Sequence, residues 1–140
     1  MKPDNGFHPA IHVLRASVAG VMIIHGVARA WAGAVAPFGG AFESWGFPFG
    51  LALAWTVTIV EIVGGLALAA GRAVVPLCIW FGVQLAAGIA LVHAKSGWFV
   101  VGLGRNGVEF SVLLIVCFGC VAWLHASQRK ADAGANAPAA

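Results

Sequence analysis

Six ionisable residues interrupt the apolar stretches of this chain, and all of them fall towards the same end of the helices that those stretches would form. They are His25, Arg29, Glu61, His93, Arg105 and Glu109. A charge in hydrocarbon costs about 2.5 kcal/mol or more, so such residues face a protein interior and mark functional sites. Histidine and carboxylate groups suit proton transfer, and arginine suits the binding of an anion. We therefore expect one polar pocket.

Spacing along the chain groups these residues further. His25 and Arg29 are four residues apart and share a helix face. Glu61 is followed at three and four residues by Gly64 and Gly65, which leave room for a neighbouring helix backbone or a flat ligand. We assign candidate catalytic roles to four residues and candidate substrate binding to two. The catalytic candidates are His25, Glu61, His93 and Glu109, and the binding candidates are Arg29 and Arg105.

Two other interpretations of this cluster stay open. Buried ion pairs and hydrogen bonds also serve to fix helix register, with no role in chemistry. Histidine and carboxylate are also metal ligands, but His25, His93 and Glu109 lack the local spacing of a metal motif, so we expect no metal.

Cys117 and Cys120 form a C-x-x-C pattern inside the last apolar stretch. In a soluble redox fold this pattern indicates thiol chemistry. Inside an apolar helix, cysteine more often acts as a small hydrophobic residue. The pair is therefore a secondary candidate for redox-active thiols.

The composition predicts an integral membrane protein. Of the 140 residues 61% are hydrophobic and 9% are charged, against roughly 25% charged in soluble domains. Four apolar stretches, at about 11–31, 51–70, 73–93 and 108–124, are each near the length of a bilayer span. The fold predicted is an all-α antiparallel bundle of four transmembrane helices, with an interfacial loop or short helix between spans one and two.

The ends of the chain complete this organisation. Residues 1–10 are expected to form a cytoplasmic segment, 11–124 the membrane domain, and 125–140 a disordered cytoplasmic tail. Cations lie mainly on the side of both termini, which places both termini in the cytoplasm and opens the pocket to the periplasm. The net charge of +3 belongs to span ends and does not indicate nucleic acid. The sequence contains no P-loop or dinucleotide fingerprint, so no nucleotide cofactor is expected.

Read in order, these elements resemble the DoxX family of small four-helix bacterial inner-membrane proteins. Arg29 stands where that family more often has lysine, which keeps the charge. The resemblance runs from Arg15 to Leu124. Its pieces are Arg15, His25-Gly26, Phe42 to Trp45-Gly46-Phe47-Pro48, Glu61 with Gly64-Gly65, Gly71-Arg72, His93 with Gly97-Trp98-Phe99, and Gly107-Val108-Glu109-Phe110.

The resemblance implies a link to membrane oxidoreductase assemblies, since the family name derives from a subunit associated with thiosulfate:quinone oxidoreductase. It also implies that His25, Glu61, His93 and Glu109 are site residues. Our hypothesis is a quinone-linked redox subunit in the bacterial inner membrane. Its expected partners are the lipid bilayer, membrane or periplasmic redox proteins, and further copies of the chain. The alternatives are a non-enzymatic scaffold or assembly factor and a small proton-coupled transporter.

Overall fold

The computed structural model describes residues 9–135 and contains four long apolar helices and one short helix. The helices are α1 (Pro9–Trp31), α2 (Val35–Ser44), α3 (Gly50–Ala69), α4 (Val74–Ser96) and α5 (Glu109–Ala135). All but α2 are long and apolar enough to cross a membrane. The predicted all-α class, the four spans and the short helix between spans one and two are confirmed.

The outer surface of the bundle is apolar and suits contact with lipid. At 1.5 Å per residue, the 20 residues of α3 extend about 30 Å, the thickness of a bilayer's hydrocarbon core. Large apolar side chains point outward along the spans, such as Val13, Val83 and Val116. Their exposure has no destabilising consequence when lipid replaces water around the helices.

A tight turn joins α3 to α4. Gly71 takes a left-handed φ of 75°, and the N–H groups of Gly71 and Arg72 donate to the carbonyls of Leu68 and Ala67 at 2.9 and 2.8 Å. This closes the helix as a Schellman motif. The Arg15 guanidinium adds a hydrogen bond of 3.4 Å to the Ala69 carbonyl. We call this the turn end of the bundle, and the opposite end, which carries α2 and residues 97–108, the loop end.

The apolar core fills the bundle from the turn end to its middle. The rings of Phe81 on α4 and Phe118 on α5 pack at its centre with centroids 5.4 Å apart. Both side chains are fully buried, as is Leu68 on α3. The other core residues are Val18, Ala19, Met22, Val74, Cys78, Leu114 and Val121. This packing fixes the helices at one end and leaves their loop-end halves to enclose the site.

The C-terminal segment differs from the prediction. Helix α5 continues through the expected boundary to Ala135, so residues 125–135, predicted to be disordered, are helical. Alanine, glutamine, arginine and lysine are strong helix formers, and they extend a helix that the core has already nucleated. The rest of the predicted tail, 136–140, and residues 1–8 of the predicted N-terminal segment lie outside the described residues.

Candidate functional site

A cavity of about 490 Å³ occupies the loop-end half of the bundle. Its volume is in the range of small-molecule sites. Every helix contributes to its wall, and the lining is mostly apolar and aromatic. The polar members of the wall are His25, Arg29, Glu61, Gln84, His93, Asn106 and Ser111.

Arg29 and Glu61 form a bidentate ion pair between α1 and α3. The guanidinium Nη1 lies 2.5 Å from Oε2 of Glu61, and Nη2 lies 3.3 Å from Oε1. Nη1 also donates to the Thr58 hydroxyl at 3.1 Å. The Arg29 side chain is 16% exposed and the Glu61 side chain 2%. Two charges this deep need such complete pairing, because one left alone would carry its full desolvation cost.

Two further contacts complete this network. Gln84 on α4 donates its amide Nε2 to Oε1 of Glu61 at 2.5 Å. The Arg29 guanidinium carbon lies 4.5 Å from the ring centroid of Phe38, a cation–π contact with α2. Through these contacts Glu61 connects α1, α3 and α4, and Arg29 connects α1 to the short helix α2.

Close backbone approach makes the ion pair possible. A Cβ added to Gly26 would stand 2.8 Å from Ile62 Cγ1 and 3.0 Å from the Thr58 carbonyl oxygen. Gly65 faces Ile23 of α1 in the same way, and Gly64 faces Leu77 of α4. Of the two functions expected for Gly64 and Gly65, the structure shows helix packing.

Two of the cavity's walls contain a π-helical turn. One covers Val60–Gly64 in α3 and includes Glu61. The other covers Ile89–His93 in α4 and ends at His93. Such a turn accommodates one extra residue within an α-helix and is frequent at functional sites. Both turns place a candidate site residue at the cavity.

Helix α2 covers the cavity at the loop end with aromatic rings. Phe38, Phe42 and Trp45 all line the cavity, and the Phe42 ring packs against Phe38 and Trp45 at centroid distances of 4.6 and 5.7 Å. Gly39 of α2 lies directly against the start of α3, since a Cβ there would stand 2.8 Å from the Cα of Leu51. The cover is therefore packed firmly onto α3.

His25 and His93 line the cavity with their tautomers set by the backbone. Nδ1 of His25 lies 3.3 Å from the Val21 carbonyl oxygen, and Nδ1 of His93 lies 2.9 Å from that of Asn106. Because a carbonyl oxygen only accepts, Nδ1 carries the proton in both rings. Nε2 is then the nitrogen that can accept a proton at the site.

Glu109, the first residue of α5, and Arg105, in the loop before it, are not part of the cavity wall. The segment 97–108 folds back on itself, and the N–H groups of Gly107 and Val108 donate to the carbonyls of Phe99 and Gly97 at 3.1 Å. The Glu109 carboxylate accepts the Val100 N–H at 2.9 Å. Arg105 is exposed and lines a separate depression formed by residues 100–105.

The candidate thiols do not line this cavity and lie further along α5 than the residues that do. Cys117 is half-buried against the apolar core, Cys120 is exposed, and both are free, as is the buried Cys78. Within residues 9–135, no three His, Cys, Asp or Glu side chains gather as ligands of one metal ion.

A comparison with protein-family models identifies the family of this chain. The DoxX family model matches residues 10–94, which cover α1 to most of α4. The chain belongs to the DoxX family. No curated protein and no solved structure matches it significantly. Within this DoxX protein the matched region contains Arg29, Glu61, Gln84 and His93, whereas Glu109 and the thiols follow it.

Sequence reasoning missed three partners of the ion pair: Gln84, Thr58 and Phe38. Gln84 carried a usable signal, because it is an amide in the middle of an otherwise apolar span. Thr58 precedes Glu61 by three residues and so shares its face. Phe38 lies in a loop-like segment whose helix could not be oriented from periodicity.

Proposed function

We propose that this DoxX-family protein is the quinone-binding subunit of an oxidoreductase assembly in the bacterial inner membrane, with the cavity as its quinone site. The observation that carries the proposal is one cavity that combines aromatic walls, two histidines and access from the side of the bundle. Such a combination suits a flat ring with polar substituents and an apolar tail.

The side access is visible in residues that both line the cavity and face outward. Trp80 and Val83 on α4 are 42% and 65% exposed, and both line the cavity. They flank Gln84, which contacts Glu61, the twelfth of the 20 residues of α3. The opening is therefore near mid-span, where a lipid-dissolved molecule reaches it without crossing water.

The quinone supplies two-electron redox chemistry, taking up two electrons and two protons on reduction. A partner protein with a haem, flavin or iron–sulfur centre is the proposed electron source. His25 and His93 would each take up a proton from the aqueous side at Nε2 and pass it on to the carrier, since their Nδ1 atoms are held by backbone carbonyls. Glu61 and Arg29 hold the polar wall in place. The distribution of cations supports a periplasmic location for this half of the bundle.

A scaffold function is the second candidate, and a specific observation favours it. The Arg29, Glu61, Thr58 and Gln84 side chains bond to one another, as expected of a buried network that fixes the helix arrangement. In that case the cavity has no ligand, and the loop-end surface binds the protein partner.

The experiment that separates the two candidates is mass spectrometry of an organic extract from gently purified protein. We expect the wild type to carry a quinone, and the His25→Ala, Glu61→Gln double variant to lose it. The His12→Ala variant, which removes a histidine at the turn end of the same helix, should retain it. A folded wild type without quinone that still recovers its protein partners would refute the quinone proposal and support the scaffold.

A further inference from the structure

Gln84 uses the two ends of its side-chain amide differently. Nε2 donates to the Glu61 carboxylate at 2.5 Å. Oε1 is buried and accepts no hydrogen bond from the residues that the structure describes. Because an ionised carboxylate only accepts, the atom facing Glu61 must be the NH₂ group. The pairing of Glu61 with Arg29 therefore fixes which way the amide of Gln84 points.

A buried acceptor without a donor is costly, and such groups are rare in proteins. Gln84 is part of the cavity wall. Its Oε1 is thus an unsatisfied acceptor on a residue of the cavity wall, next in sequence to the exposed wall residue Val83 and on a side chain bonded through Nε2 to Glu61. The molecule that satisfies this atom must bring an O–H or N–H group.

We propose that Gln84 Oε1 accepts a hydrogen bond from a hydroxyl of the bound carrier, so that the site prefers the hydroquinone form over the quinone form. This inference rests on the proposed quinone function and specifies which redox form the site retains. A hydroquinone has two O–H donors, whereas the corresponding positions of a quinone are carbonyl acceptors. A quinone carbonyl at Oε1 would bring two acceptors together.

Binding to the purified full chain in lipid nanodiscs tests this preference under anaerobic conditions. The probes are decylhydroquinone, decylbenzoquinone and the dimethyl ether of decylhydroquinone, which keeps the ring and loses both donors. We expect the hydroquinone to bind the wild type about tenfold more tightly than the other two, the magnitude of one hydrogen bond. Gln84→Met should abolish the difference. Gln128→Met, the same change on the C-terminal part of α5, should preserve it.

Infrared spectroscopy provides a readout without altering the site. The chain has two glutamines, so the Gln128→Met variant retains Gln84 alone. With glutamine labelled by ¹³C at the amide carbonyl, addition of decylhydroquinone should shift that carbonyl band to lower frequency, and the dimethyl ether should leave it unchanged.

The outcomes of these experiments separate a failure of this inference from a failure of the proposed quinone-binding function. Equal affinity of the wild type for all three probes, or an unshifted carbonyl band, would overturn the role of Gln84 and leave quinone binding intact. A preference retained in folded Gln84→Met would do the same. If none of the probes binds to the wild type, the proposed function itself fails.

Discussion

Gln84 and Glu61 meet across the bundle, with the amide nitrogen of one 2.5 Å from the carboxylate of the other. The tight turn at Gly71 and Arg72 joins α3 to α4 at the other end of the bundle, and the loop-end halves of both helices line the cavity. The hydrogen bond therefore joins two walls of the site. Because Glu61 accepts both this hydrogen bond and the ion pair from Arg29, the positions of α1 and α4 at the cavity depend on one carboxylate.

Replacement of Glu61 should accordingly be costly. In Glu61→Gln the Arg29 guanidinium loses its counter-charge while still largely buried, which we expect to lower the free energy of unfolding by about 3 kcal/mol. Unfolding by SDS in mixed micelles measures this change. Glu43→Gln, the same substitution at an exposed position on α2, should alter stability by less than about 0.5 kcal/mol. Equal effects of the two substitutions would contradict the buried pair.

Removal of both charges should cost less than removal of one. In the double variant Arg29→Met, Glu61→Leu no unpaired charge remains, so it should be more stable than either single variant. A double-mutant cycle gives the coupling energy directly. Quinone content measured on the same samples then separates structural from functional contributions: a stable double variant without quinone supports the site, and one that keeps quinone shows that the pair is only structural.

Gly26 permits the contact between α1 and α3 beside Glu61. In Gly26→Ala the new methyl would lie 3.0 Å from the Thr58 carbonyl oxygen. Because that oxygen belongs to the backbone of α3, it cannot rotate away as a side chain could. We expect a loss of about 1 to 3 kcal/mol. Gly20→Ala, on the same helix with nothing within 4 Å of the added atom, should be neutral or stabilising by up to about 1 kcal/mol. Thermal unfolding of the two variants side by side checks both values.

Glu109 is expected to stabilise the loop rather than take part in chemistry. Glu109→Gln weakens the charge-assisted acceptor of the Val100 N–H. Amide hydrogen exchange over residues 97–108 should become faster, and bound quinone should be retained. Arg105→Gln, an exposed change in the same loop, provides the comparison and should leave exchange of the Val100 amide unchanged. Loss of quinone in Glu109→Gln with unaltered exchange would instead assign it to the site.

The cysteines provide a test of the thiol alternative. Because Cys117 packs against the core and Cys120 faces outward, we expect both to act as small apolar side chains. The Cys117→Ala, Cys120→Ala variant should fold, bind quinone as the wild type does, and lose no more than about 1 kcal/mol of stability. Disappearance of a redox activity in this folded variant would restore the C-x-x-C pattern as a functional element.

The sequence predicted the four spans and the short helix well, because long apolar runs and their glycine-rich breaks follow directly from the demands of a bilayer. It also predicted that Arg29 and Glu61 would share a pocket, since neither charge is tolerable in lipid. Glu109 and Arg105 were grouped with them by depth alone. The loop that contains Arg105 and leads into Glu109 is held by backbone hydrogen bonds between irregular segments, and no side-chain periodicity encodes such contacts.

The orientation of the site's side chains was beyond sequence reasoning for a related reason. Glu61, which accepts the hydrogen bond from Gln84, lies within a π-helical turn of α3. An ideal period of 3.6 residues assigns faces correctly up to such a turn and incorrectly past it.

The two π-helical turns also determine where these spans tolerate a change in length. Deleting a residue from an ordinary α-helix rotates everything beyond it by about 100° and turns its buried face outward. A deletion within Val60–Gly64 or Ile89–His93 would instead convert the turn to regular α-helix, and the flanking turns would keep their facing. Insertions and deletions in related chains should therefore concentrate at these two places. Over evolution the cavity wall can be reshaped there while the packing of the rest of each span is preserved.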